Sequence, residues 1–183
     1  SQKTGMFGKN HPMIAGRLAD LARINVFCGD PAAGLPLAER AIAICRDNPA
    51  TDKFSTAEVL ATRVELLQAL GKGDHLSEDV STIRTFVSEY HDKRSVHLAS
   101  LQVRLGRILR RLGDLRSAEG LCRDASHAEL TCSGAEGTGF LDAQLELGLV
   151  LRAGGKLRES AAILTTVALA RKKAGIYHTE DPR

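Results

Sequence analysis

Four glycines at a fixed interval constrain this chain more than any other feature of its sequence. Gly29, Gly71, Gly113 and Gly155 follow one another at intervals of 42 residues, and each closes a segment with helical periodicity. Glycine commonly ends a helix because it adopts the left-handed backbone conformation without a steric penalty. A fixed period of this length is typical of a repeated supersecondary unit. The interval therefore predicts four units, each with a helix that stops at one of these glycines.

Other residues also recur at the 42-residue interval. At two of these recurring positions, three of the four units have a small residue. Small side chains there would let two helices approach closely, so the pattern predicts helical hairpins that pack against one another. Unit two departs from the pattern, with Arg63 and Val64 before its glycine and Leu76 after it. The small residues are Ala22, Gly106 and Gly148 before the glycine, and Gly34, Ala118 and Ser160 after it.

The pattern predicts the helices in pairs. The first helix of each pair covers about 12–28, 53–70, 95–112 and 138–153, and the second about 31–47, 76–91, 114–129 and 157–174. Pro12 and Pro31 suit the first turn of a helix, and Pro36 lies in a second turn, where a lost hydrogen bond costs less than at the centre. Residues 131–139 are rich in Gly, Ser and Thr, which predicts a connection.

Composition limits the class of protein. Apolar residues make up 43% and charged residues 26%, as in soluble globular proteins. The net charge of +3 is too small to indicate nucleic-acid binding. No apolar run reaches the roughly 18 residues of a membrane span, and no signal-peptide pattern is visible. We therefore expect a cytoplasmic protein with reduced, structural cysteines and neither nucleic acid nor membrane as partner.

Three of the four units carry residues by which a known repeat family can be recognised. The first has His11-Pro12, Leu21-Ala22, Gly29 and the run "PLAERAIAI" at 36–44. Unit three reads "LGRILRRLGDLRSAEGL" and unit four "GGKLRESAAILTTVALA", whereas unit two is degenerate. These residues resemble the tetratricopeptide repeat (TPR) in its long, kinesin light chain type. The resemblance implies an all-α fold, a right-handed α-solenoid of about four helix-turn-helix hairpins.

The resemblance covers about residues 8–182 and sets the expected domain organisation. We expect one solenoid domain over residues 1–183. Residues 1–10 and 176–183 resemble inter-repeat junctions, so we expect the chain to be a piece of a longer protein. The expected units cover about 11–50, 52–92, 94–130 and 137–175.

The sequence contains no recognisable catalytic constellation. Neither a phosphate-binding loop, nor G-x-S-x-G, nor H-E-x-x-H occurs. Cys122, His127 and Cys132 form the tightest Cys/His group, but their spacing is not a known zinc pattern. We therefore expect a non-catalytic protein without a metal site or a cofactor.

Repeat solenoids bind partners along their concave face, which in TPR folds is lined by the first helix of each unit. Unit three stands out there, because "RLGRILRR" at 104–111 holds four arginines, whose planar guanidinium groups suit carboxylates. One interpretation is a basic clamp for an acidic peptide. The other is a solvated face with arginines paired to Asp114, Glu119 or Asp142. The candidate peptide-binding residues are Arg23, Phe27, Arg104, Arg107, Arg110, Leu149 and Arg152.

Two binding patterns of the family are missing. There is no Lys/Asn carboxylate clamp, and the paired Asn of kinesin light chains is replaced, for example by Leu145-Glu146. The sequence favours a non-catalytic protein–protein interaction scaffold that binds a peptide or helix in its groove. The alternative is a sensor or autoinhibitory repeat segment of a multidomain signalling protein, such as a nucleotide-switch ATPase or a repeat-linked protease. There the partner would be another domain of the same parent chain.

Overall fold

A computed structural model describes residues 11–48, 51–73, 76–90 and 95–175. These residues form α-helices and no β-strand, which confirms the predicted all-α class. The expected junctions at 1–10 and 176–183 lie outside the described residues. The helices are α1 (Pro12–Phe27), α2 (Pro31–Asp47), α3 (Lys53–Ala69), α4 (Ser77–Glu89), α5 (Val96–Leu112), α6 (Leu115–Ser133), α7 (Thr138–Ala153) and α8 (Leu157–Lys173).

The chain divides into two compact units, each containing two helical hairpins. The N-terminal unit spans Ser1–Glu89 and the C-terminal unit spans Tyr90–Arg183. In the N-terminal unit α1 packs on α2, and α3 packs on both of them and on α4. In the C-terminal unit α5 packs on α6, and α7 packs on both of them and on α8. Both units therefore repeat one arrangement, whereas the single domain expected over 1–183 stays a prediction.

The four glycines at the 42-residue interval end the first helix of each hairpin, as predicted. Their φ angles lie between 69° and 87°, in the left-handed region. At Gly113, the glycine N–H donates to the carbonyl of Arg110, and the next N–H, that of Asp114, donates to the carbonyl of Leu109. The same pair of bonds recurs at the other three glycines. This is the Schellman arrangement, in which only a residue with positive φ closes the helix.

Aspartates start the helices that follow three of the loops. Asp30 and Asp114 come directly after anchor glycines, and each carboxylate accepts from the backbone N–H three residues on. Asp52 caps α3 through the N–H of Ser55 at 2.8 Å. Such caps satisfy a helix donor that would otherwise lack a partner. A Gly-Asp pair therefore ends one helix and caps the start of the next. Helix α2 also continues through Pro36, as expected.

Small residues allow the close approach of paired helices that the sequence predicts. A Cβ placed on Gly106 would lie 2.6 Å from the Cys122 sulfur of α6. A Cβ placed on Gly34 would lie 2.7 Å from the backbone oxygen of Ala22. Real Cβ atoms do not occur at such distances, so α1–α2 and α5–α6 depend on the absence of a side chain at these positions.

The hairpin of α3 and α4 is joined differently, which explains why unit two breaks the sequence pattern. Arg63 on α3 donates from Nε to the Asp79 carboxylate on α4 at 2.7 Å, and its Nη2 contacts the second carboxylate oxygen. Leu76, at the position that holds Gly34 in unit one, is buried. Val64 and Leu76 thus replace the small residues of the other units, and an ion pair joins the two helices.

The connection between units three and four is shorter than predicted. Helix α6 continues to Ser133, and α7 begins at Thr138, so the predicted loop at 131–139 is reduced to residues 134–137. Gly134, with a φ of 76°, is the first residue that leaves the helical conformation. Thr131 and Ser133 lie in the last turn of α6, where their hydroxyls donate to the His127 carbonyl and the Glu129 carboxylate of the same helix.

Candidate peptide-binding surface

The N-terminal unit presents two of the predicted site residues on α1. Arg23 donates from Nη2 to Asp20 at 3.2 Å, and its side chain is partly exposed. Phe27, the last residue of α1, is 79% exposed. Ala19 and Val26 of the same helix pack into apolar clusters between the helices. The two candidate residues therefore lie outside these clusters, at the surface of α1.

The arginines of unit three meet a carboxylate on the neighbouring first helix. Arg107 and Arg110 share one face of α5, and both donate from Nε to Glu146 on α7, at 3.1 and 2.7 Å. The Glu146 side chain is only 4% exposed. Arg107 and Arg110 are thus ion-paired, but with Glu146 and not with Glu119 or Asp142. Asp142 pairs with Arg171, and Glu119 with Arg123 and Lys156.

The cluster of Arg107, Arg110 and Glu146 carries an excess of positive charge. Two guanidinium groups share one carboxylate, so the formal charge of the cluster is +1. Both arginines use Nε for the internal bonds, and their side chains remain 36% and 23% exposed. Charge-assisted hydrogen bonds of this kind fix the guanidinium planes. The terminal nitrogens are therefore held in place at a partly open surface.

A buried thiol lies beside this cluster. Burial raises the pKa of the Cys122 thiol to about 12, and the negative charge of Glu146 adds to the effect. Arg107 and Arg110 lower the pKa but do not compensate. Because the thiolate is the reactive form, this cysteine is not a nucleophile at neutral pH. Cys45 is buried as well, whereas Cys28 and Cys132 are exposed, so the expectation of structural thiols fits two of the four.

The remaining predicted site residues differ in accessibility. Arg104 is buried, because α5 is covered around most of its circumference, and it does not present its guanidinium at the surface as expected. Leu149 on α7 is half-buried, and Arg152 is exposed. By the 42-residue interval these two residues hold the positions of Arg107 and Arg110. The same two positions therefore hold two arginines on α5, and one leucine and one arginine on α7.

Sequence reasoning missed Glu146 as a member of the site. It was recognised only as a replacement of the second paired Asn of kinesin light chains. The signal that could have found it is a lone carboxylate on the first helix of the next unit, opposite a helix with several arginines. Adjacent first helices pack together in this fold, so complementary charges on them are candidates for pairing.

Further features of the described residues bear on the class of site. In the part of the chain that the structure describes, no three His, Cys, Asp or Glu side chains form a group that could hold a metal ion. No helix in the same residues combines the length and apolar character of a membrane span.

No protein-family model matches the chain, and no curated protein matches it. Among solved structures, the chain is similar to nearly identical TPR-like repeats of a Podosopora anserina protein described as a kinesin light chain. One crystal structure, of a variant with a single substitution, aligns with a TM-score of 0.66 and 19% identity over 94% of this chain and 81% of that chain. A second crystal structure of these repeats aligns with 0.63 and 20% over 92% and 80%.

A third solved structure gives a similar result. BtubC (BKLC) from P. vanneervenii aligns with a TM-score of 0.55 and 16% identity over 94% of this chain and 87% of that chain. Identities this low show the fold and nothing finer. The chain has the fold of the TPR-like helical-repeat solenoids seen in kinesin light chains, as its glycine interval and repeat residues predicted.

Proposed function

We propose that the chain is a non-catalytic, cytoplasmic protein–protein interaction scaffold that binds an acidic peptide or helix along the first helices of its repeats. The fold supports a binding role, since stacked helical hairpins present an extended surface. The observation that carries the proposal is the pair of arginines on α5 that shares one buried carboxylate, Glu146, and keeps a net positive charge.

A ligand carboxylate would bind to the terminal nitrogens of Arg107 and Arg110. Both groups are already fixed through Nε by Glu146, so binding would immobilise little additional side chain. Preorganisation of this kind increases affinity because less conformational entropy is lost. On α7, Arg152 would add a second charge and Leu149 an apolar contact. In the N-terminal unit, Arg23 and Phe27 on α1 are the corresponding candidates for an acidic and an apolar contact.

The internal carboxylate also limits affinity. Glu146 neutralises one of the two guanidinium groups, so the cluster attracts a ligand with the charge of a single arginine. Much of that attraction acts at a partly exposed surface, where salt screens it. We therefore expect binding that weakens as ionic strength rises and that requires apolar contacts beside the charges. A domain of the same parent chain, in a sensor or autoinhibitory arrangement, would use the same surface.

Fluorescence anisotropy with a short labelled peptide of alternating Glu and Leu tests the proposal. The control peptide has Gln in place of every Glu. The variant replaces Arg107, Arg110 and Glu146 together by Met, which removes the charges without leaving a buried carboxylate unpaired. Hydrogen bonds to charged groups contribute about 1.5–3 kcal/mol, so the variant should bind the Glu peptide about tenfold or more weakly.

Arg116→Ala on α6 is the matched control, because it removes an exposed arginine outside the proposed surface. It should leave the affinity of the Glu peptide unchanged. Equal binding of the Glu and Gln peptides would contradict an acidic ligand. Unchanged binding by the triple variant would contradict this location of the site.

A further inference from the structure

A cleft opens between α3 and α4, and the residues that line it all belong to the N-terminal compact unit. Its volume is about 390 Å³, which lies within the range of about 300–1,000 Å³ that is usual for small-molecule sites. We call it the hydroxyl cleft, because five hydroxyl-bearing side chains line it. They are Thr51, Thr56, Ser81, Thr82 and Thr85.

One residue of the cleft departs from the other repeats. By the 42-residue interval, the position of Thr56 holds a large apolar residue in each of the other three units, namely Ile14, Leu98 and Phe140. Ile14 packs against the apolar cluster of its unit, and Leu98 is buried. Unit two therefore has a small hydroxyl side chain where the other units have an apolar side chain, and that hydroxyl side chain lines the cleft.

The hydroxyls of the cleft have unused hydrogen-bonding capacity. Thr51 Oγ1 is buried and has no hydrogen-bond partner, and a buried hydroxyl without a partner is costly. Thr56 donates to the backbone carbonyl of Asp52 at 3.2 Å. Thr82 donates in the same way to the carbonyl of Glu78 at 3.0 Å. Because their protons are used in these bonds, the two hydroxyls meet a ligand as acceptors, so the cleft favours a ligand with several donors.

The other lining residues narrow the class of ligand further. Lys53 and Glu89 are of opposite charge and pair with each other at 3.3 Å, so together they add no net charge to the lining. Phe86 and Ala57 contribute apolar surface, and the Phe86 ring lies 5.9 Å from that of Phe54. A lining that is neutral and combines hydroxyls with an aromatic side chain suits a neutral ligand with both hydroxyl groups and C–H surface.

From this lining we infer that the hydroxyl cleft binds a small, neutral, polyhydroxylated ring compound, the chemistry that monosaccharides and cyclic polyols share. Hydroxyls of the ligand donate to Thr56 and Thr82, and its C–H surface packs on Phe86. A donor inside the cleft also gives the buried Thr51 hydroxyl the partner that it lacks.

A titration of the full chain with glucose and with myo-inositol, followed by amide proton–nitrogen NMR spectra, tests the inference. Ser81, Thr82 and Thr85 are exposed to water, so we expect weak binding. The titration should extend to about 50 mM, which detects dissociation constants on the order of 1 mM. Amide signals of residues at the cleft should shift and saturate. Cyclohexanol, a ring of similar size with a single hydroxyl, is the control ligand and should cause much smaller shifts there.

Two variants place larger apolar side chains in the cleft. Thr56→Ile introduces the residue that unit one holds at this position, and it removes an acceptor and part of the space. Thr85→Leu introduces the residue that α8 holds at the corresponding position, Leu169. Each should weaken the binding of both polyols about tenfold or more. Thr85 is exposed, so its variant keeps the test valid if Thr56→Ile disturbs the fold, which circular dichroism checks.

Thr165→Ile on α8 is the matched control, because it makes the same kind of change at an exposed position outside the cleft. It should leave the affinity for both polyols unchanged. An absence of shifts at the cleft with both polyols would overturn the inference. So would equal shifts with cyclohexanol, or binding that neither cleft variant weakens.

The hydroxyl cleft shares no residue with the proposed peptide surface. Thr85→Leu should therefore still bind the Glu–Leu peptide with the affinity of the wild-type chain. Loss of polyol binding with retained peptide binding, or the reverse, separates the two proposals, so each can fail without the other.

Discussion

The α3–α4 and α7–α8 hairpins solve the same packing problem with opposite chemistry. Where α7 and α8 carry Leu147 and Ile163, the corresponding positions of α3 and α4 carry Arg63 and Asp79. Leu147 is buried, and Asp79 is just as inaccessible, with its side chain 5% exposed. Both positions differ together, so an ion pair stands in α3–α4 where α7–α8 has two apolar side chains. The hairpin therefore accommodates two kinds of complementary residues at these positions.

Breaking the ion pair on one side should give the largest effect on stability. Arg63→Ala leaves the buried Asp79 carboxylate without its guanidinium, and the loss of one partner of a buried pair typically costs 3–5 kcal/mol. Because the Arg63 side chain is itself 30% exposed, we expect the low end, about 3 kcal/mol less free energy of unfolding. Urea denaturation followed by circular dichroism measures the change.

The double substitution Arg63→Leu/Asp79→Leu restores the apolar chemistry of the other hairpins. Replacement of a buried ion pair by well-packed apolar residues is often neutral or stabilising. We expect the double variant to lie within about 1 kcal/mol of the wild-type chain or above it. A double variant as unstable as Arg63→Ala would show that α3–α4 needs the charges themselves.

The second comparison concerns how closely the helices of a hairpin approach. In α1–α2, Gly34→Ala would place a Cβ 2.7 Å from a backbone oxygen that cannot rotate away. Overpacking of this kind typically costs about 1–3 kcal/mol. The α3–α4 hairpin holds a buried leucine, Leu76, at the same position. Thermal denaturation should therefore show a clear loss for Gly34→Ala.

Gly16→Ala is the matched control for that substitution. Gly16 also lies in a helix of the N-terminal unit, but a Cβ there would have nothing within 4 Å. Alanine is favoured over glycine inside a helix by about 0.5–1 kcal/mol, so this variant should be more stable than the wild-type chain. Equal effects of the two substitutions would mean that helix propensity, and not close packing, controls both sites.

Local signals made most of the fold predictable from sequence. Each anchor glycine acts within one turn of its helix, and Asp30 or Asp114 starts the next helix through a bond three residues away. Such short-range chemistry can be read without knowledge of tertiary contacts. The end of α6 was placed too early, because the Gly/Ser/Thr-rich composition of 131–139 does not reveal that Gly134 alone begins the turn.

The candidate site was less predictable, because it depends on contacts between repeats. That Arg107 and Arg110 share a face follows from helical spacing alone. Their bond to Glu146 depends on how α7 packs on α5, which no pattern within one helix contains. The burial of Arg104 is also a property of the folded chain that helical spacing does not reveal. Peptide binding by the predicted residues stays a prediction, which the anisotropy experiment tests.

The smallest effect is expected in an exposed ion-pair network of the C-terminal unit, which contrasts with the buried pair of the N-terminal unit. Glu119 on α6 accepts from Lys156 and from Arg123, which also binds Glu159 on α8. Exposed ion pairs contribute about 0–1 kcal/mol each. Glu119→Gln should therefore lower the free energy of unfolding by about 1 kcal/mol or less, and high salt should abolish the difference.

The pH dependence of that small difference has a definite sign. The hydrogen bond from Lys156, with further help from Arg123, holds the pKa of the Glu119 carboxyl below its ordinary value, although burial opposes the shift. A depressed pKa contributes stability above the unfolded-state pKa, and that stability is lost as pH falls through the folded-state value. The free energies of unfolding of the wild-type and Glu119→Gln chains should thus differ at neutral pH and converge in acid.

In contrast, the loss of stability in Arg63→Ala should persist at high salt, because the buried Asp79 carboxylate is poorly screened. A salt-sensitive loss at Arg63 would show that both ion pairs behave as surface pairs, and the contrast between the two units would then disappear.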